Sequence, residues 1–195
     1  MSDTPGRPFT LADPGPLGLA GFALTTFALS VFNAGLVDPS AEPVIFGIVL
    51  FYGGLAQLIA GAFEFFRNNT FGALAFSSYG AFWLAFWYLN THLSLFSSLD
   101  HIDTGVGVFL LAWTIFTAYM LVSVWHVNWA LTLVFIPLLI TFIGLTIGKF
   151  SGVPMVTIVA GWFGILTALL AWYASFAGVF NSVSKKAKLP IGPKS

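Results

Sequence analysis

Two polar side chains set into an apolar stretch are the first candidates for chemistry. Within residues 47–64 (GIVLFYGGLAQLIAGAFE), Gln57 and Glu64 stand seven residues apart, and Leu50 precedes them at the same period. Gly47, Gly54 and Gly61 recur every seven residues as well. Helix positions three and seven apart share a face. The spacing therefore predicts a seam of missing side chains with an amide and a carboxyl set into it. Small residues let neighbouring backbones approach closely, and a polar group inside a membrane faces a bundle interior or a watery cavity. Gln57 can donate a hydrogen bond to a carboxylate. Glu64 has two readings: a solute-facing group that donates when protonated, or the partner of Arg67 at i,i+3. Two turns, about 10 Å, separate the two side chains along the axis, so one small solute does not touch both.

Further candidates share helical faces. Phe22, Thr26, Leu29 and Asn33 form one such face, flanked by Thr25 and Ser30. Tyr79, Trp83, Phe86 and Asn90 form a second. Val134, Leu138, Thr141 and Leu145 form a third, with Pro137 beside Leu138, where a missing backbone donor should loosen the helix. Thr25, Thr26, Ser30 and Asn33 either line a pathway or bond their own helix carbonyls. Trp83 and Thr141 complete the candidate lining. The ordinary alternative for an aromatic face is core packing. His92, His101 and His126 lie near helix ends or in loops, without a carboxylate at ligand spacing, so no metal site is expected. Trp113, Trp125, Trp129 and Trp162 read as interfacial or packing residues. A Gly-rich phosphate loop followed by Lys, a nucleophile motif and a Lys inside a span are all missing. No cofactor and no enzymatic activity are expected on these grounds.

The elements that must position these groups follow from composition. Of 195 residues, 58% are hydrophobic and 7% charged. A soluble domain carries about 25% charged residues, so this chain belongs in lipid. Aromatics make up 17%, with 22 Phe, which suits lipid-facing and interfacial positions. The formal net charge is zero, so no bulk field draws nucleic acid, and with no Cys there are neither disulfides nor thiolate sites. The opening MSDTPGRPFTLADPGP has no apolar core, so no cleaved signal peptide is expected.

Six apolar segments stand near the ~20 residues a spanning helix needs: 17–37, 43–66, 71–90, 105–126, 129–148 and 153–179. Asp38-Pro39, the turn Arg67-Asn68-Asn69-Thr70, residues 97–104 (SSLDHIDT), His126-Val127-Asn128 and residues 149–152 punctuate them. The expected fold is thus an all-α membrane protein, a bundle of six transmembrane helices over residues 17–179. A polar segment, 1–16, precedes it, and a basic, loosely ordered tail, 180–195, follows. Placing both termini in the cytoplasm puts Arg7, Arg67, Lys185, Lys186, Lys188 and Lys194 on that side and Lys149 alone on the other. The positive-inside rule favours this orientation. Within these six spans Glu64 is the one formally charged residue.

Several motifs then converge. Residues 13–19 (DPGPLGL) and 20–26 (AGFALTT) resemble the Asn-Pro-Ala-Pro-Leu-Gly-Leu signature and following helix of the acetate uptake transporter family, the succinate–acetate permeases. Residues 51–57 (FYGGLAQ), Ala60-Gly61 with Glu64, 69–72 (NTFG), 78–83 (SYGAFW), 160–162 (AGW) and 189–192 (LPIG) match in family order. The resemblance runs over nearly the whole chain. Asp13 stands where the family has Asn, and Gly15 where it has Ala. An ionised Asp only accepts hydrogen bonds, so Asp13 cannot greet an anion as an Asn can.

The resemblance implies six-helix subunits, each with its own pore, in a homohexamer of the cytoplasmic (inner) membrane. It implies passage of acetate and related small carboxylates, with succinate among the candidates. It also implies a narrow constriction built from Phe22, Tyr79 and Leu138. A ring of bulky apolar groups excludes water and hydrated ions by dewetting. Gln57 and Glu64, with Thr25, Thr26, Asn33, Trp83 and Thr141, are the expected lining. Two mechanisms fit: a channel-like pore, and a proton-linked carrier in which Glu64 helps neutralise the anion. Scarcity of ionisable groups in the spans favours the channel. A different class, a non-transporting membrane sensor or assembly scaffold, fits the helices and Gly seams equally well but not the ordered motifs.

Overall fold

The computed structural model describes residues 11–92, 95, 101–184 and 188–192. Among the described residues, six long helices carry the fold. We label them α1 (Gly15–Asn33), α2 (Pro39–Phe66), α3 (Thr70–Thr91), α4 (Ile102–Val124), α5 (Trp129–Ser151) and α6 (Pro154–Val183).

Local chemistry sets the helix ends. Pro16 stands in the first turn of α1 and Pro154 opens α6, where a missing N–H leaves no bond unmade. The Asn69 side chain accepts from Gly72 N at 3.1 Å and caps α3. Asn128 does the same for α5, accepting from Leu131 N at 2.8 Å. Gly152 closes α5 in the left-handed region at φ 67°. α5 continues through Pro137 to Ser151 without a break.

The helices close into a ring in the order α1, α6, α5, α4, α3, α2 and back to α1. At Gly61 and Gly80 the α2 and α3 backbones nearly touch: a Cβ at Gly80 would lie 2.8 Å from Leu58 N, and one at Gly61 would lie 2.5 Å from Ser77 N. The α3 and α4 backbones stay further apart. Rings fill that gap, with Phe82 stacked on Phe109 at 5.7 Å and Tyr79 edge-on to Phe116 at 5.2 Å. Outward faces are rich in exposed Leu, Ile, Val and Phe, as expected of a surface solvated by lipid rather than water.

Several expectations are refined. Among the described residues, five helices (all but α3) are long and apolar enough to cross a membrane. α3 has the length, 22 residues, but Ser77, Ser78, Tyr79, Tyr88 and Asn90 dilute its apolarity. The helices also overrun the expected spans: Glu42 falls in α2, Asp103 in α4 and Lys149 in α5, so Glu64 is not the one charged residue in them. α2 starts as a 3-10 turn over Pro39–Ile45 and widens into a π-helix over Val49–Ala56 before returning to α-geometry at Gln57. That wide turn breaks the seven-residue register. Gly54 and Gly61 meet α3, whereas a Cβ at Gly47 would meet nothing within 4 Å. The expected loose tail is tied down where it is described: Trp129 N donates to Gly192 O and Ala130 N to Ile191 O.

Candidate functional site

Two cavities penetrate the bundle from opposite ends. The first, about 250 Å³, opens at the end where Asp13 and Ile191 lie. Its walls come from α1 (Leu19, Phe22), α2 (Gln57, Glu64), α3 (Phe71, Phe76, Tyr79), α5 (Leu131, Val134, Phe135, Leu138) and α6 (Ala174, Gly178). The second, about 340 Å³, opens at the far end and is lined by Leu29, Asn33, Glu42, Phe82, Phe86, Asn90, Asp103, Leu110, Leu145 and Lys149, among others. The same three helix faces serve both. α1 gives Phe22 to the first cavity and Leu29 to the second; α3 gives Tyr79 and Phe86; α5 gives Leu138 and Leu145. Seven residues of helix rise about 10 Å, so a short packed zone separates the cavities.

That zone begins with Phe22, Tyr79 and Leu138, which the structure brings to the inner end of the first cavity. All three are buried, at 6%, 3% and 3% exposure. The Phe22 and Tyr79 rings lie 5.6 Å apart. The Tyr79 hydroxyl pairs with Thr117 Oγ1 at 2.9 Å, and Phe135, Phe116 and Trp113 surround the ring. Thr117 thus positions Tyr79 from α4, a role with no sequence signal because one Thr among apolar helix residues looks like any other.

The remaining expected site residues divide. Gln57, Thr26 and Trp83 are buried, and Gln57 Oε1, Thr26 Oγ1 and Trp83 Nε1 have no hydrogen-bond partner among the described residues. A buried polar atom left unpaired costs about 1–3 kcal/mol. Neither Thr26 nor Trp83 lines a cavity: by helix register Thr26 falls between Phe22 of the first and Leu29 of the second, and Trp83 stands beside Phe82 at the inner end of the second. Asn33 lines the far cavity. Thr25 is different: its hydroxyl donates to Gly21 O at 2.8 Å, its side chain packs on the Gly53 backbone, and it lines neither cavity. Of the two readings open for Thr25, its hydrogen bond is the one to its own helix carbonyl. Thr141 likewise donates to Pro137 O at 2.8 Å, and its methyl faces Gly164. Ser30 also lies against Gly164.

Glu64 is 1% exposed and lines the first cavity, where it accepts from Asn69 Nδ2 at 2.9 Å. The alternative pairing with Arg67 is not what forms. Arg67 instead bridges to Asp13, 54 residues earlier, at the exposed rim. Asp13 Oδ1 also accepts from Gly15 N at 3.0 Å and so shapes the turn into α1. Asn69 went unremarked as a site residue because its signal is that of a helix cap; it caps α3 and holds Glu64 at once. Lys149 and Asp103, also missed, pair at 2.9 Å over the far cavity. Among the described residues no group of three or more His, Asp or Glu could hold a metal ion.

Apolar helices ringed around two opposed cavities, with a packed zone between, define a multi-pass membrane protein built around an internal route. The chain belongs to the GPR1/FUN34/yaaH family, whose profile matches residues 3–193. It is 41% identical over 175 residues to Accumulation of dyads protein 2 of Saccharomyces cerevisiae, covering 86% of this chain and 61% of that one. The chain thus spans about three fifths of the length of that relative. It is 36% identical over 186 residues to the succinate-acetate/proton symporter SatP of Escherichia coli K12, covering 93% of this chain and 96% of that one. Among solved structures, the bacterial acetate channel SatP superposes with a TM-score of 0.88 at 36% identity, over 94% of this chain and 100% of that one.

Proposed function

We propose that this chain moves acetate and related small carboxylates, succinate among them, across the cytoplasmic (inner) membrane. The route runs inside each subunit from one cavity to the other, with Phe22, Tyr79 and Leu138 as its waist. It performs no covalent chemistry. The observation that carries this reading is the set of unspent polar atoms on Gln57, Thr26 and Trp83 beside a zone of packed rings. A sensor or scaffold has no use for three such atoms there. A passing carboxylate does: the Trp83 N–H and Thr26 hydroxyl donate to its oxygens, and the Gln57 carbonyl accepts from a protonated acid or a water.

The waist explains selectivity. Apolar rings strip water, so a bare inorganic ion meets its full desolvation cost. A short carboxylic acid presents its methyl end to the rings and its oxygens to the polar groups alongside. The relatives are named both as a channel and as a proton symporter. We read this chain as channel-like, because Glu64 is the one buried carboxyl lining the first cavity and, among the described residues, no second buried acid or base continues a relay from it. The family resemblance supports a homohexamer, and the six-to-one bias of basic residues supports cytoplasmic termini. The test is uptake of labelled acetate into vesicles that carry the purified protein. Protein-dependent flux that survives collapse of the pH gradient is expected. Absent flux from folded protein overturns transport; flux abolished with the gradient overturns the channel form.

A further inference from the structure

The described part of the C-terminal tail crosses the mouth of the first cavity. It leaves α6 and reaches the N-terminus of α5. Leu189 exchanges two hydrogen bonds with Asn181: Leu189 N donates to Oδ1 at 2.7 Å, and Asn181 Nδ2 donates to Leu189 O at 3.0 Å. The Tyr173 hydroxyl donates to Pro190 O at 2.7 Å. Ala130 N donates to Ile191 O at 3.0 Å and Trp129 N to Gly192 O at 2.9 Å. Every carbonyl from Leu189 to Gly192 is therefore engaged. The arrangement also completes α5. A helix leaves its first four N–H groups without partners in the helix. Here Trp129 and Ala130 find the strap, while Leu131 and Thr132 find Asn128. Gly192 sits at φ 60°, and a Cβ there would lie 2.9 Å from Trp129 Cβ, so the strap lies flush against α5.

Between these anchors, Ile191 lines the cavity beside Val127 and Asn128. It is held by backbone bonds on its own carbonyl and on both neighbouring carbonyls, so it is a fixed part of the wall. We propose that the strap Leu189–Gly192 is the inner jamb of the pathway, and that Ile191 is a residue controlling access from that side. Volume added at Ile191 closes the route; freeing the strap moves that volume out of the way. This rests on the transport reading above.

The chain has no cysteine, so Ile191→Cys introduces a sole thiol. The purified full-length variant is labelled in detergent with a bulky neutral maleimide, returned to vesicles and assayed for labelled acetate flux. Lys188→Cys, exposed and outside the cavity, is labelled in parallel. Labelling is expected to lower flux about tenfold at Ile191→Cys and less than about twofold at Lys188→Cys. Adding Asn181→Ala to Ile191→Cys, which removes both bonds to Leu189, is expected to relieve most of the block. Equal flux before and after labelling at Ile191→Cys overturns the proposal, as does an equal loss at both positions. No flux before labelling in either variant or the parent chain counts against transport and not against the strap. If Ile191→Cys does not fold, Ile191→Trp and Ile191→Ala read the same volume effect without labelling: flux falls for Trp and is kept for Ala, and equal flux in the two overturns the proposal.

Discussion

The two cavities carry their charge in opposite ways. In the first, the carboxylate is deep: Glu64 is 1% exposed, its hydrogen-bond donor is a neutral amide, and the nearby Arg67 is spent on Asp13 at the rim. In the second, the charges stay at the lip, where Lys149 and Asp103 pair with side chains 46% and 72% exposed. Exposed pairs are screened by water and salt, whereas buried charges are not. A carboxylate arriving from the far side meets Lys149 set between Asp103 and the half-buried Glu42, and then rings. One leaving toward the termini must pass a buried acid. The two cavities thus differ electrostatically although the proposed waist between them is a simple apolar ring.

The largest expected effect breaks this asymmetry at its deep end. Glu64→Gln removes the buried charge and keeps an acceptor for Asn69. Acetate flux at pH 7 should rise about tenfold, which is about 1.4 kcal/mol of barrier, and its dependence on pH should flatten. Lys149→Gln should change flux by less than about threefold and lose that effect at high salt, since a rim charge acts over one Debye length. Comparable responses to the two changes would abolish the distinction between the cavities. Next in size is the partition between them. Leu138→Ala should let lactate or succinate pass several-fold faster relative to acetate, while lowering stability by about 2–5 kcal/mol, the range for a buried Leu. An unchanged selectivity profile would remove Leu138 from the waist.

The smaller effects sharpen the comparison. Asn69 and Asn128 both cap helices, and replacing either with Ala should cost about 1 kcal/mol in thermal or denaturant unfolding. Asn69→Ala should in addition change the pH profile of flux, because it frees Glu64; Asn128→Ala should leave that profile alone. Asp103→Asn breaks an exposed pair and should cost under about 1 kcal/mol.

Much of the fold is legible in the sequence because membrane helices are written in apolar length and polar punctuation. Asn69, Asn128 and Pro154 mark starts, and the structure places helix starts there, whereas the second helix, expected from residue 43, already begins at Pro39. The faces through Phe22, Tyr79 and Leu138 are visible from period, but that they meet at one level is not, since helix phase and relative height leave no local trace. Motif resemblance supplied that grouping. What stays hidden rests on backbone or on distant partners. Val49–Ala56 is apolar on every side, so nothing marks its π-geometry. Arg67 has an acid three residues before it, yet binds one 54 residues away. The strap at Leu189–Gly192 is held by its carbonyls, and carbonyls are the same in every residue.

The central claim is a single route through the subunit between the two cavities, closed down at Phe22, Tyr79 and Leu138. Its most direct test is labelled-acetate flux into vesicles carrying either the parent protein or Leu138→Trp, each shown to be folded and inserted in equal amount. The account predicts rapid flux for the parent and background flux for the tryptophan variant, whose indole fills the waist. Equal flux through both would mean that acetate takes another way across.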